Sequence, residues 1–182
     1  MKLERPWVVS ECSNRTVKAF IRKYHAYGSD GGNATLCHGV FEGEKLVACF
    51  TWKQAIIGLA KSVRPHDPQG VLSLSRMVAV PKTERRLKHI SKPLKIAMNE
   101  MLDRLRYPHL VTFSDRSLGH NGFVYLCSGW TKTGESYGEI WTDELGNRKS
   151  PCSNGKSVRG CLFKTGVKVM DRWEHVRANL AL

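Results

Sequence analysis

Apolar residues at Val17, Phe20, Ile21 and Tyr24 fall at i, i+3, i+4 and i+7, the period of a helix with one buried face. Ser13 or Asn14 just before them is a capping residue, and Trp7 to Cys12 ahead of the cap reads as a short strand. Gly28, Gly31, Gly32 and Asn33 then break the pattern into a loop. Two further runs, Ala34 to Phe41 and Lys45 to Trp52, flank Glu42-Gly43-Glu44 and predict a β-hairpin. Gln54 to Gly70 fits neither period, being apolar over Ala55 to Ala60 and loop-like over Arg64-Pro65-His66-Asp67-Pro68.

Val71 to Val80 predicts a strong strand in which Leu72, Leu74, Val78 and Val80 share one parity with Arg76. A guanidinium on that stripe needs either a β-bulge that turns it out or a paired place inside a site. The basic loop Lys82 to His89 leads to a helix over Ser91 to Leu105, with Pro93 in its first turn and Leu94, Ala97, Met98, Met101, Leu102 and Leu105 inward. Leu110 to Phe113 is the next buried strand. Ser114-Asp115-Arg116 stands at its carboxyl end, Gly119 and Gly122 open another helix, and Gly129 stops it. Strand, helix and strand here predict a right-handed βαβ crossover, with the two strands parallel and diverging at their carboxyl ends. Tyr137 to Trp141 returns to strand, with a hairpin turn near Gly146-Asn147. Lys149 to Leu182 is basic and shows no clear period.

With 182 residues, 41% of them hydrophobic, the chain is expected to form one domain, 1–182, around a real core. The net charge of +13 points to a polyanion, nucleic acid before others, against the plainer reading of a solvated basic surface. Six cysteines without a Cys-x-x-Cys pair read as buried free thiols. The amino terminus carries no apolar signal core and no run approaches a membrane span, so a reducing cytoplasm is the expected compartment. Gly-x-Ser-x-Gly, P-loop and zinc-finger patterns are missing, which removes the corresponding chemistries.

The candidate chemistry lies at the elbow. Asp115, Ser114, His120 and Tyr125 bring a carboxylate, a hydroxyl, an imidazole and a phenol to one strand end, where α/β sheets commonly bind ligands, and Arg76 joins them from the central strand. Each has a plainer role: Asp115 and His120 as caps, Tyr125 as core. Arg85, Arg86 and Lys88 precede a helix amino terminus, where phosphate binds well.

The order of elements from Trp7 to Trp141 resembles the GNAT acyltransferase fold, a mixed central sheet with splayed parallel strands flanked by helices. It departs from that superfamily at Pro81 to Ile90, where the usual glycine-rich pyrophosphate loop is replaced by one without glycine. Leu74-Ser75-Arg76, Ser114-Asp115, and Gly119-His120-Asn121-Gly122 followed by Tyr125 resemble the motif set of the Mom-type phage DNA-modification proteins. That resemblance implies an enzyme that converts the N6 amine of adenine in double-stranded DNA to a carbamoylmethyl amine, shielding the DNA from restriction. It implies catalytic roles for Asp115, Tyr125, Arg76, His120 and Ser114. Tyr24-His25 fits the family's histidine-tyrosine site in reversed order, and an associated iron would fall to His25 and Asp115. The donor of the two-carbon unit is left open, with acetyl-coenzyme A one choice, held at Arg85, Arg86 and Lys88. Tyr24, Arg148, Lys149, Lys156 and Arg159 would meet DNA, and Trp52 or Trp141 would stack on an extruded base. The core would end near residue 141, leaving 142–182 as a basic extension. The oligomeric state, with a homodimer one option, is left open. Two rival readings stand beside this one: an acetyl-coenzyme A-dependent acetyltransferase acting on a protein or small amine, and an inert DNA-binding protein.

Overall fold

Ser13 starts the first helix, its hydroxyl accepting from the Thr16 amide at 3.1 Å. The computed structural model describes residues 6–25, 33–103, 107–146 and 162–177, with the backbone alone at 148–149, 152–153 and 156–157. The elements are β1 (Val8–Glu11), α1 (Asn14–Tyr24), β2 (Leu36–Glu42), β3 (Lys45–Gln54), α2 (Ile57–Val63), β4 (Val71–Ala79), α3 (Ser91–Asp103), β5 (His109–Asp115), α4 (Phe123–Ser128), β6 (Thr131–Thr142), β7 (Arg148–Lys149), β8 (Cys152–Ser153), β9 (Lys156–Ser157) and β10 (Phe163–Val176).

Eight strands form one sheet in the order β1-β2-β3-β4-β5-β10-β6-β7, and β8 pairs with β9 separately. Among the described residues only β4 and β5 run parallel. They pair over Val71↔His109, Leu72↔Leu110 and Ser73↔Val111 and then part, as the crossover required. At the parting the Thr112 hydroxyl donates to the Leu74 carbonyl at 3.0 Å. A side chain thereby satisfies a buried acceptor that the ladder no longer serves.

Arg76 leaves the apolar stripe through a bulge. Thr51 pairs with Arg76 but Trp52 pairs with Leu74, so Ser75 is the extra residue of β4. The inserted residue reverses parity: Leu72 and Leu74 face one side of the sheet, Arg76 and Val78 the other. The two sides carry different helices. On one side Asn14 of α1 contacts Cys37, which lies in register with Thr51, itself the partner of Arg76, and α2 packs through Ala60 on Val71 and Val111. On the other side Glu100 of α3 meets His38, and α4 leans on α3 through the Ser128 hydroxyl, which donates to the Ser91 carbonyl at 3.2 Å.

The carboxyl-terminal part corrects the expected boundary. Strand β10 lies between β5 and β6, pairing with β5 over Met170 to Val176 and with β6 along nearly all its length. The sheet therefore does not end near residue 141, and much of the supposed extension is an inner strand. Its alternation of Val167, Val169 and Trp173 with Lys168, Arg172 and Glu174 is a strand pattern, obscured because Asp171 takes an inward position and Val167 stays exposed. The exposed Cys127 likewise corrects the expectation that every cysteine is buried, whereas Cys37 and Cys49 are buried free thiols. No helix among the described residues is long and apolar enough to cross a membrane.

Candidate active site

The elbow after β5 is built from two left-handed glycines. Asp115 Oδ1 accepts from the amide of Ser117, 3.0 Å away, and from its hydroxyl, which starts a 3-10 turn over Arg116–Leu118 that Gly119 ends at φ 74°. Gly122, at φ 70°, precedes α4, and a Cβ there would run into the Trp173 ring. Glycine is thus required at 122 by backbone and by packing together.

Ser114 and Asp115 are consecutive in a strand and project to opposite faces. Ser114 is buried and its hydroxyl accepts from Trp173 Nε1 at 2.9 Å. Trp173 in turn packs on Tyr125, ring centroids 5.9 Å apart, and Tyr125 packs on Trp130 at 5.9 Å. Burial pushes the Tyr125 phenol up, against a smaller opposing effect of the Thr112 hydroxyl, so it is protonated at neutral pH. Its polar neighbour is Thr112 at the splay. The sequence-predicted cluster divides: Ser114 and Tyr125 belong to the α3/α4 face, Asp115 to the α1/α2 face.

Asp115 has Lys168 of β10 across from it, Nζ 3.7 Å from Oδ2. Three more basic groups gather on that face. His25 at the end of α1 is held well below its ordinary value, to about 4, first by burial and then by Arg76 and His120. Arg76 and His120 thus lie within electrostatic reach of it, and His25 is a neutral imidazole at pH 7. Arg76 donates from Nη1 to the Ser75 carbonyl at 2.7 Å, inside the bulge. His120 is exposed, its amide 3.4 Å from the Asp115 carbonyl. Tyr24, half-buried, packs on Phe20 at 4.8 Å with Lys23 Nζ 4.9 Å from its ring centroid.

This donor set does not fit iron. Among the described residues no three of His, Cys, Asp and Glu come together as ligands. His25 faces a permanent cation in Arg76, and the two oxygens of Asp115 already meet Ser117 and Lys168.

The glycine-free loop shows why its amides cannot cradle a pyrophosphate. The Glu42 carboxylate takes the amides of Arg86, at 2.9 Å, and Leu87. Arg85 turns inward, donating to the carbonyls of Val80, at 3.0 Å, and Leu87, so it braces the loop. Arg86 and Lys88 are exposed, and a phosphate would be held here by their side chains alone.

Trp52 is a correction. It is fully buried, its Nε1 donating to His38 Nδ1 at 3.0 Å, and His38 Nε2 lies 2.9 Å from Glu100 Oε2. A tryptophan locked in the core cannot stack on a base. Trp141 remains half-buried on β6, its Nε1 donating to Glu139 at 3.1 Å. Among the DNA-contact candidates, Arg148, Lys149 and Lys156 are described in backbone only, and Arg159 lies outside the described residues. Asp171 went unnoticed in the sequence: buried in β10, it receives Arg116 through two nitrogens and Lys132 at 2.7 Å. These partners hold Asp171 below the usual carboxylate range, Arg116 most of all. The network pins the elbow to β10 and β6.

Two parallel strands that part beside a bulged β4, with helices on both faces, define a GNAT-like acyltransferase fold. Solved acetyltransferases are similar to it throughout. A putative acetyltransferase from Salmonella typhimurium, solved with its cofactor acetyl-CoA, is 9% identical with a TM-score of 0.60, covering 98% of each chain. The ribosomal-protein-S5-alanine acetyltransferase from Vibrio fischeri is 9% identical with a TM-score of 0.57, over 98% of this chain and 97% of that one. An IAA acetyltransferase from Bacillus cereus is 12% identical with a TM-score of 0.57, over 94% and 99%. At these identities the likeness is one of fold. No protein of curated function matches the chain. The Mom protein family matches residues 6–158, and the chain belongs to it.

Proposed function

We propose that this chain transfers a carbamoylmethyl-type unit to the N6 amine of adenine in double-stranded DNA and so protects that DNA from restriction. The observation that carries the reading is the α1/α2 face at the splay, where the anionic acceptor Asp115 stands at the end of β5 with neutral His25 and cationic Arg76 on the same side of the sheet. The adenine amine is a weak nucleophile, so a group must take its proton as nitrogen bonds to the donor carbon. Asp115 is that group in this reading, and the leaving group departs with its electron pair toward the α3/α4 side. There Tyr125, protonated and beside Thr112, is a hydrogen-bond donor in reserve. Arg76 supplies a fixed positive charge to the polar end of the donor or to a phosphate.

The net charge of +13 supports a DNA partner, because extruding a base costs a few kcal/mol that phosphate contacts must offset. The test is to express the chain, digest cellular DNA to nucleosides and weigh them. A mass-shifted adenine nucleoside is expected, and unmodified DNA would overturn the proposal.

The likeness to a fold solved with acetyl-CoA favours a second reading, acetyl transfer from that cofactor to a protein or small amine. Thermal stabilisation by coenzyme A and none by duplex DNA would select it.

A further inference from the structure

We propose that Lys168 is a positioning residue for Asp115, and that position 138 is glycine because the lysine must lie against it. The inference rests on the reading of Asp115 as proton acceptor. Met170 is the residue paired with Asp115, and Lys168, two residues along β10, is the diagonal neighbour on the same face. Its ammonium sits 3.7 Å from Asp115 Oδ2 while the Ser117 turn holds Oδ1. The carboxylate is gripped at both oxygens, by a turn on one side and a cation on the other.

A lysine has a long, flexible stem, and something must confine it. Gly138 stands directly opposite Lys168 on β6. A Cβ at 138 would lie 3.0 Å from Lys168 Cε and 3.4 Å from its Cγ. Glycine weakens a strand, so one inside β6 at this position marks a close approach. The stem passes over Gly138 on one side and the head reaches Asp115 on the other.

The other charges on the elbow are committed elsewhere or carry a different task. Arg116, next in sequence, turns to Asp171 and Glu135. Arg76, His25 and His120 cluster around the end of α1. Lys168 is the cation that β10 contributes to Asp115, and it holds the carboxylate oriented until an amine arrives.

Two measurements test this. Lys168→Met, Lys168→Arg and Gly138→Val are compared by the adenine nucleoside assay and by duplex affinity. Lys168→Met and Gly138→Val should lower turnover about 10- to 100-fold with a smaller change in the KM for DNA, and Lys168→Arg should recover most of the loss. Equal turnover in wild type and Lys168→Met would overturn the inference. Separately, melting curves of Asp115→Asn, Lys168→Met and the double variant form a cycle. Coupling between the two sites is expected, and strictly additive shifts would overturn the pairing. A wild-type chain that modifies no adenine would overturn the proposed function, and the cycle would then decide the pairing on its own.

Discussion

The Thr112 hydroxyl and the Leu74 carbonyl meet at 3.0 Å across the point where the two parallel strands separate. Beyond Ser73↔Val111 no backbone pairing joins β4 and β5, so this bond closes the apex of the cleft. Thr112→Val keeps the branched shape and removes the donor, leaving a buried acceptor unsatisfied. It should cost about 1–3 kcal/mol, read as a lower melting temperature. Thr112→Ser should lose distinctly less, and a loss in Thr112→Ser with none in Thr112→Val would show that the methyl group, not the bond, matters.

Stability should fall with acid in a defined window. His25 has a folded value of about 4 against an ordinary 6.5, so between those pH values the unfolded chain binds a proton that the folded chain refuses. Folded stability is full above about 6.5 and declines as pH drops toward 4. His38, also lowered, mainly by burial, acts in the same direction. Urea unfolding of His25→Gln across this range should show a shallower pH dependence than wild type. An identical slope would mean that His25 titrates normally.

Much of this architecture was legible in the chain. The helical period of Val17, Phe20 and Ile21, the hairpin at Gly43 and the βαβ crossover appear where local pattern and tertiary packing agree. The Arg76 anomaly pointed to a bulge or to a paired charge inside a site, and β4 carries the bulge. The site was harder to read for two reasons. Sequence adjacency brought Ser114, Asp115 and Tyr125 together, whereas strand pleating separates Asp115 from the other two. The strand that completes the site, β10, comes from a basic tail whose alternation includes an inward Asp171. A salt-bridge network satisfies that residue, and no local pattern announces such a network. Trp52 was misread because an aromatic residue looks alike in sequence whether it stacks on a ligand or donates to a buried histidine.

Gly119 and Gly122 should respond differently to alanine. Both have positive φ, but nothing lies within 4 Å of a Cβ at 119, whereas at 122 it would strike Trp173. Gly119→Ala should cost about 1 kcal/mol from backbone strain alone. Gly122→Ala should cost clearly more, and should also displace Trp173 from Ser114. Tryptophan fluorescence beside the melting curve reads that displacement; similar losses without a spectral change would argue against the packing account.

Trp52→Phe tests the corrected role of that residue. It removes the donor to His38 Nδ1 in a fully buried site, so a loss of about 1–3 kcal/mol in stability is expected. Duplex DNA affinity, measured well below the melting temperature, should stay as in wild type. A large fall in affinity with little loss of stability would restore the stacking role.

The sharpest comparison sets Asp115→Asn against Tyr125→Phe, because the two residues serve opposite faces of one strand end. Asparagine can still accept from the Ser117 amide, so the 3-10 turn should survive while the negative charge facing Lys168 disappears. If Asp115 takes the proton of the adenine amine, modification should fall about 100-fold or more with duplex binding nearly intact. Tyr125→Phe keeps the ring against Trp130 and Trp173 and removes only the hydroxyl beside Thr112. A phenol that assists the leaving group predicts lost turnover with an unchanged melting curve, and a ring that only packs predicts full turnover with the same curve. The readout is the mass-shifted adenine nucleoside from expressing cells, with a melting curve for each variant. Full modification in Asp115→Asn would remove the carboxylate from the chemistry and return it to the role of a turn cap.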